Sequence, residues 1–436
     1  MNGKRTCGFL LGILFLLLTF VSIPAAAEFQ DEIDRINRKI VLEKLAWEAG
    51  NTWITPLESL ERRRLLGTWA PEQEGAGSPA AIHVRAGLAQ SLNWASHYGR
   101  NYITKVRNQG ACGSCWAFAV VAAAEAMYNI EKNRYSVQLA ARTSFLPRIH
   151  TAHQGSTAFI PPTQIAALAN PDISEQDLIS CTTAGGCDGG YVSQAAQALK
   201  TQGIVSENCF SYEAEDLACN RCSNWKDVLS KIARWRWITT DTIDVPAIKT
   251  VLQDGPLVGY MHVYDDFYSY RSGVYQKTSG AVYEGGHAIL MVGYDDGDNC
   301  WICKNSWGTN WGENGYFKIR RGNCETGTWV MQLDGVTINN RAPVLAAVGD
   351  QSVKEGGTIT IQLSAQDPDN DEITYGASPL PTGATMNNTT GVLTWSPGYT
   401  QAGTYSIRFS VSDGLFEDYE DVRITVINVK KGKGKY

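Results

Sequence analysis

Cys115, His287 and Asn305 are the three side-chain types that a thiol nucleophile, its base and the group orienting that base require. Cys115 opens an Ala-rich run without breakers, Ser114 to Tyr128, which predicts a largely buried helix with the cysteine in its first turn. A helix N-terminus carries about half a positive charge, which favours a thiolate over a thiol. Transfer of the thiol proton to His287 would leave a thiolate–imidazolium pair ready to attack a carbonyl carbon, and the imidazolium would later return the proton to the leaving amine. Asn305 can accept a hydrogen bond from the second ring nitrogen. His83, His97, His150, His153 and His262 have no motif around them and read as surface or packing residues.

The elements that must position these groups have a recognisable local form. Gln109-Gly110-Ala111-Cys112-Gly113-Ser114-Cys115-Trp116-Ala117-Phe118, with Gly285-Gly286-His287-Ala288 and Lys304-Asn305-Ser306-Trp307-Gly308 downstream, resembles the papain and cathepsin family of cysteine peptidases. The resemblance implies an α+β catalytic fold of two halves, one helical and one β-barrel-like, with the cleft between them. It also implies that the side-chain amide of Gln109 and the Cys115 backbone N–H receive the developing oxyanion, and that Trp307 shields the His287–Asn305 hydrogen bond. Gly189 and Gly190 of Gly186-Cys187-Asp188-Gly189-Gly190, together with Gly286, are expected to leave backbone exposed for an extended substrate strand. In the corresponding Cys324-Glu325-Thr326-Gly327 stretch, Gly327 stands where a cathepsin B has an acidic residue, so a roomy or apolar specificity pocket is expected. No His-His pair or long Cys-bounded loop occurs between Gly203 and Trp225, which implies an open cleft and endopeptidase action.

The chain has 436 residues, enough for two or three folding units, and a net charge of -6 that points away from nucleic acid. Lys4 and Arg5, an apolar run from Phe9 to Ile23 and the small residues Ala25-Ala26-Ala27 read as a secretory signal peptide, residues 1–27, with no membrane span left after its removal. Export to an extracellular or periplasmic space would favour disulfides. Apart from Cys115, nine later cysteines remain, compatible with four bridges and one leftover thiol. The family resemblance implies Cys112–Cys187 and Cys181–Cys219, and Cys303–Cys324 and Cys209–Cys222 complete the expected set with Cys300 free. The Cys-x2-Cys pairs at 112/115 and 219/222 would also suit zinc; export and the peptidase motifs argue against it, so no metal and no cofactor are expected at the catalytic site.

Residues 28–90 form a charged, cysteine-free segment with apolar residues Ile33, Ile36, Ile40, Val41 and Leu45 at helical spacing. It is too small to stand alone and needs another surface to pack on. Trp47-Glu48-Ala49-Gly50-Asn51 and Leu65-Leu66-Gly67-Thr68 resemble the short propeptide of the cathepsin B branch, which implies an inhibitory strap running backwards through the cleft. Glu72 to Pro79 reads as a flexible processing stretch. The peptidase domain is assigned to 91–338. His287 stands 172 residues after Cys115, beyond the family's usual 130–150 or so, and an insertion over about 133–172 accounts for the excess.

After Arg341-Ala342-Pro343 the cysteines stop and short Val/Ile/Thr-rich runs alternate with Gly, Pro and Asp. Residues 341–428 resemble an Ig-like or cadherin-like β-sandwich, followed by a basic tail at 429–436. Asp367, Asp369, Asp371 and Asp413 could wrap a structural calcium, although turn formation explains them slightly better. Expected partners are protein or peptide substrates, the chain's own propeptide, and a cell surface or glycan reached through the module. A catalytically vestigial adhesion protein is the competing reading; the retained Cys115 and His287 weigh against it.

Overall fold

The computed structural model of the protein describes residues 25–71, 79–143, 170–339, 342–368, 373–413 and 416–429, with residues 25–28 and 133–143 described as backbone. The signal-peptide run, the processing stretch at 72–78, most of the insertion (144–169), Asp369, Asp371 and the tail from 430 lie outside these residues. Six α-helices occur among them: α1 (Ala25–Glu43), α2 (Ser59–Arg63), α3 (Cys115–Thr143), α4 (Glu175–Cys181), α5 (Val192–Thr201) and α6 (Val245–Leu252). None is long and apolar enough to cross a membrane.

The strands of the larger unit are β1 (Ala46–Ala49), β2 (Ser91–Asn93), β3 (Gly185–Gly186), β4 (Gly189–Gly190), β5 (Ser230–Thr239), β6 (Leu257–Tyr264), β7 (Tyr270–Tyr275), β8 (Tyr283–Asp295), β9 (Cys300–Lys304), β10 (Tyr316–Arg320) and β11 (Val330–Ile338). Nine of them form one sheet in the order β1-β7-β10-β9-β8-β6-β11-β5, with β2 added at β8. Helix α3 lies between this sheet, where it meets β6, β8 and β11, and the helices α4 and α5. Its Ala and Val side chains allow that: Ala117, Val120, Val121, Ala123 and Ala124 are all buried, so α3 is a core helix rather than an amphipathic surface one.

Local signals explain where the other helices begin. The Ser174 hydroxyl caps α4 by accepting from Asp177 N at 3.0 Å, and Asp244 caps α6 by accepting from Ala247 N at 2.9 Å. The N-terminal strap, residues 25–71, has no core of its own. Ile33, Ile36 and Ile40 of α1 bury into the core of the larger unit, whereas Val41 of the same predicted stripe is 75% exposed. Strand β1 adds antiparallel to β7, which extends the catalytic sheet by one strand.

Strands β12 (Val344–Leu345), β13 (Gln351–Lys354), β14 (Ile359–Gln362), β15 (Ala365–Gln366), β16 (Thr374–Ser378), β17 (Ala384–Asn387), β18 (Val392–Trp395), β19 (Gly403–Ser412) and β20 (Glu417–Ile427) make up the C-terminal module. A four-stranded sheet, β13-β20-β19-β16, faces a three-stranded one, β14-β18-β17, over a separate core that includes Trp395, Phe409 and Ile424. Alternate residues of β20 point inward, Val422, Ile424 and Val426, as the period of a half-buried strand requires. Asp413 accepts from Phe416 N at 2.6 Å, the kind of bond a turn-forming aspartate makes.

Three disulfides are formed among the described residues: Cys112–Cys187, Cys181–Cys219 and Cys209–Cys222. The expected Cys303–Cys324 bridge is absent, and Cys300, Cys303 and Cys324 are buried thiols. Cys303 is held in β9 between Met291 of β8 and Phe317 of β10. Cys324 sits in a turn after β10 and donates to Asn323 Oδ1 at 3.0 Å. Each thiol is thus fixed among different neighbours, and burial raises both above the ordinary thiol range. Asp177, Cys181 and Cys219 bring three ligand-type atoms together, yet two of these are the disulfide sulfurs and Asp177 is paired with Arg221 at 2.6 Å, which leaves no zinc-binding thiolate there.

Candidate active site

Cys115 begins α3, fully buried beneath the strap. Two features hold the turn before it. The Cys112–Cys187 disulfide ties it to the β3–β4 glycine hairpin, and Gly113 N donates to Cys187 O at 2.8 Å. Ser114 shares a 2.7 Å hydrogen bond with Tyr212, whose hydroxyl also donates to Gln109 O.

The opposing wall is the sheet. His287 lies on β8 and Asn305 follows the last residue of β9, so pairing of these two strands sets their separation. His287 Nε2 and Asn305 Oδ1 are 2.8 Å apart, and the indole of Trp307 covers that bond with ring centroids 4.8 Å from the imidazole. Asn305 Oδ1 also accepts from Ser306 N at 2.8 Å, which fixes the amide's orientation. His287 Nδ1, the ring nitrogen that Asn305 does not engage, is left to act on the thiol. Burial alone would raise the Cys115 thiol. The His287 charge and hydrogen bond, the Thr68 hydroxyl and the Ala288 N–H outweigh it and hold the group below the ordinary thiol range.

Gln109 is buried beside them. Ser306 Oγ donates to its Oε1 at 2.6 Å, and Gln109 Nε2 donates to Cys112 O at 2.8 Å and to Leu65 O of the strap at 3.1 Å. A backbone carbonyl of the strap therefore already occupies the amide that the sequence marks for an oxyanion. Thr68 Oγ1 is 3.0 Å from Cys115 Sγ and engages the sulfur. Thr68 pairs parallel to Gly190: Gly190 N donates to Gly67 O at 2.8 Å and Trp69 N donates to Gly190 O at 3.0 Å. On the other side Thr68 N donates to Gly286 O at 3.3 Å. The strap thus runs as an extended strand between Gly189-Gly190 and Gly286.

Glycine makes this approach feasible. A Cβ on Gly67 would stand 1.8 Å from Gly113 O, and one on Gly189, whose φ is +127°, would stand 2.4 Å from Trp69 Nε1. Away from the cleft the strap is held by Trp53 Nε1, which donates to Trp307 O at 2.7 Å, and by the ion pairs Arg62–Glu32 and Arg63–Glu284.

Cys115, His287, Asn305, Gln109, Trp307, Gly189, Gly190 and Gly286 therefore border one channel. Gly327 does not: its Cα faces Ile243, Ile248 and Trp301, and Thr239 donates to its carbonyl at 2.9 Å. Sequence reasoning missed Thr68 as the strap residue on the sulfur and Ser306 as the hydroxyl that orients Gln109. The Leu66-Gly67-Thr68 run carried a signal for the first; nothing local marks the second.

A family profile described as papain family cysteine protease matches residues 88–144 and 157–332, and one described as a putative Ig domain matches 342–427. Among similar curated proteins, the cathepsin B-like CP3 of Giardia intestinalis is 34% identical over 235 residues, covering 52% of this chain and 67% of that protein. The cathepsin L-like proteinase of Fasciola hepatica is 31% identical over 250 residues, covering 56% and 64%. Two zymogen structures share the fold. The procathepsin B S9 of Trypanosoma congolense superposes with a TM-score of 0.54 at 22% identity, over 69% of this chain and 97% of that one. The digestive procathepsin L 3 of Tenebrio molitor gives 0.52 at 23%, over 71% and 89%.

Proposed function

The chain belongs to the papain family of cysteine proteases and is a cysteine peptidase with a C-terminal Ig-like domain; from this premise we propose that Cys115 is its nucleophile, His287 its base, and residues 28–90 an inhibitory propeptide. The convergence of Cys115, His287, Asn305 and Gln109 on one channel carries the reading. Release of the strap frees the sulfur from Thr68 and the Gln109 amide from Leu65 O. The thiol proton passes to His287 Nδ1, and the thiolate attacks the carbonyl carbon of a peptide lying along Gly189-Gly190. Gln109 Nε2 and the Cys115 N–H then receive the oxyanion that the strap carbonyl mimics in the resting form. Imidazolium gives its proton to the leaving amine, and water, deprotonated by the same ring, hydrolyses the thioester. Asn305 keeps the ring in plane throughout.

Export as a zymogen follows from the signal-like N-terminus, and endopeptidase action from the lack of a cleft-blocking insertion between Gly203 and Trp225. The Ig-like module is assigned to holding the enzyme at a surface, glycan or protein substrate, with the exposed rings of Tyr399 and Tyr419 available for contact. Expression of the proprotein with and without Cys115→Ala tests the core of the reading. The unsubstituted chain should mature and react with a thiol-directed epoxide; if it does neither after acid treatment, the assignment of Cys115 fails.

A further inference from the structure

Beneath the catalytic groups, the two walls of the cleft are joined by buried charge. Glu125 lies on α3, ten residues after Cys115, and Lys304 ends β9 immediately before Asn305; each is 5% exposed. Thr104 stands between them. Its hydroxyl donates to Glu125 Oε2 at 2.5 Å and accepts from Lys304 Nζ at 3.3 Å, while Glu125 Oε1 accepts from Ile173 N at 2.9 Å. A small cavity here is bordered by Glu125 and Lys304 and, toward the chemistry, by Ala288, Asn305 and Ser306. The other charged groups facing the pair are Arg107 and Asp172, which are ion-paired, Glu175 on α4, and Glu207 beyond it.

We propose that Glu125 and Lys304 are positioning residues that, through Thr104, set the register of the wall carrying Cys115 against the wall carrying His287 and Asn305. The inference rests on Cys115 and His287 acting as described above. Apolar packing would also hold α3 against the sheet, but it is non-directional and tolerates sliding. Hydrogen bonds through one hydroxyl do not. Helix α3 is rigid over the three turns from Glu125 to Cys115, so a shift at one end is carried to the sulfur. Lys304 is one peptide unit from the amide that holds His287. Misplacement of reacting groups by about 1 Å can cost on the order of 100-fold in rate. Burial pushes the Glu125 carboxyl up, with the Asp172 charge adding to it, and pushes Lys304 down against the pull of Glu125. Both shifts favour the uncharged forms, so the link is sensitive to pH close to neutrality.

The test uses the full chain, matured, with the active fraction counted by a thiol-directed epoxide so that rates are per competent site. Glu125→Gln and Lys304→Met should each lower kcat about tenfold or more with KM within about twofold. Removing the carboxylate takes a negative charge from the cluster beneath the imidazolium, so the alkaline limb of kcat/KM should move to lower pH in Glu125→Gln. It should move to higher pH in Lys304→Met. Because a single change leaves a buried charge unpaired and costs stability, the double variant Glu125→Leu/Lys304→Met, which removes both partners, is made alongside. It should melt like the parent yet keep the low kcat. A double variant with the parent's kcat and pH profile overturns the inference, as do folded single variants with an unmoved profile. A parent enzyme that neither labels nor hydrolyses would instead sink the assignment of Cys115 itself.

Discussion

Among the described residues, Cys115 differs from the other three unbridged thiols in its surroundings rather than its exposure, since all four are buried. Cys300, Cys303 and Cys324 are raised by desolvation, while the imidazole, the Thr68 hydroxyl and a backbone N–H reverse that effect at Cys115. In the matured enzyme, iodoacetamide should therefore alkylate Cys115 at pH values where an ordinary thiol is protonated, and Asn305→Ala should slow the reaction about tenfold or more by releasing the ring. Equal labelling rates for the native enzyme and a denatured control at pH 6 would refute the lowered thiol. Titration of the denatured, non-reduced mature protein should find four thiols; two would mean that Cys303 and Cys324 join after all. The grouping of Cys115, His287 and Asn305 was legible because the chemistry proposed for them restricts residue type. The state of Cys303 and Cys324 was not, because pairing depends on where strand β9 and the turn after β10 come to rest.

Among the elements, the strap and α4 make the sharpest claims. The strap passes its backbone through a channel that has no room for a side chain at Gly67. Gly67→Ala should therefore raise the inhibition constant of the isolated strap peptide against mature enzyme at least tenfold, about 1.4 kcal/mol, and speed maturation of the proprotein. Unchanged inhibition would show that the strap seats elsewhere. Helix α4 and its neighbours bury carboxyls: Glu175 is held well above the ordinary range, chiefly by burial, and burial raises Glu125 and Glu207 as well. A raised carboxyl stabilises the fold below its unfolded value and loses that contribution as pH climbs through the folded value. Lys304, held low by burial, acts in the opposite sense, but only at higher pH. The melting temperature should accordingly fall from pH 5 to pH 7.5, and Glu175→Gln should flatten the slope. Sequence periodicity foresaw α1 and the apolar character of α3. It could not foresee that β1 would complete the catalytic sheet, because strand addition depends on the open edge of β7.

At the scale of the molecule, the Ig-like module has its own core, separate from that of the catalytic unit. A chain ending at Asn339 should fold, mature and hydrolyse small peptides at rates within about twofold of the full chain, while losing any retention on insoluble protein or glycan. Loss of peptide hydrolysis together with a lower melting temperature would show that the module supports the catalytic unit instead. By itself the sequence determined the reaction class, the two-part organisation and the dependence of the strap on a foreign surface. Each of these follows from local facts: residue types that chemistry demands, a change of composition near Pro343, and too little apolar area over residues 28–90. Tertiary structure alone decided that Leu65 O rests on the Gln109 amide, that Gly327 faces α6, that Cys303 and Cys324 stay apart, and that Thr104 joins Glu125 to Lys304 beneath the site. All four depend on how residues apart in the chain come to pack, which no local pattern encodes.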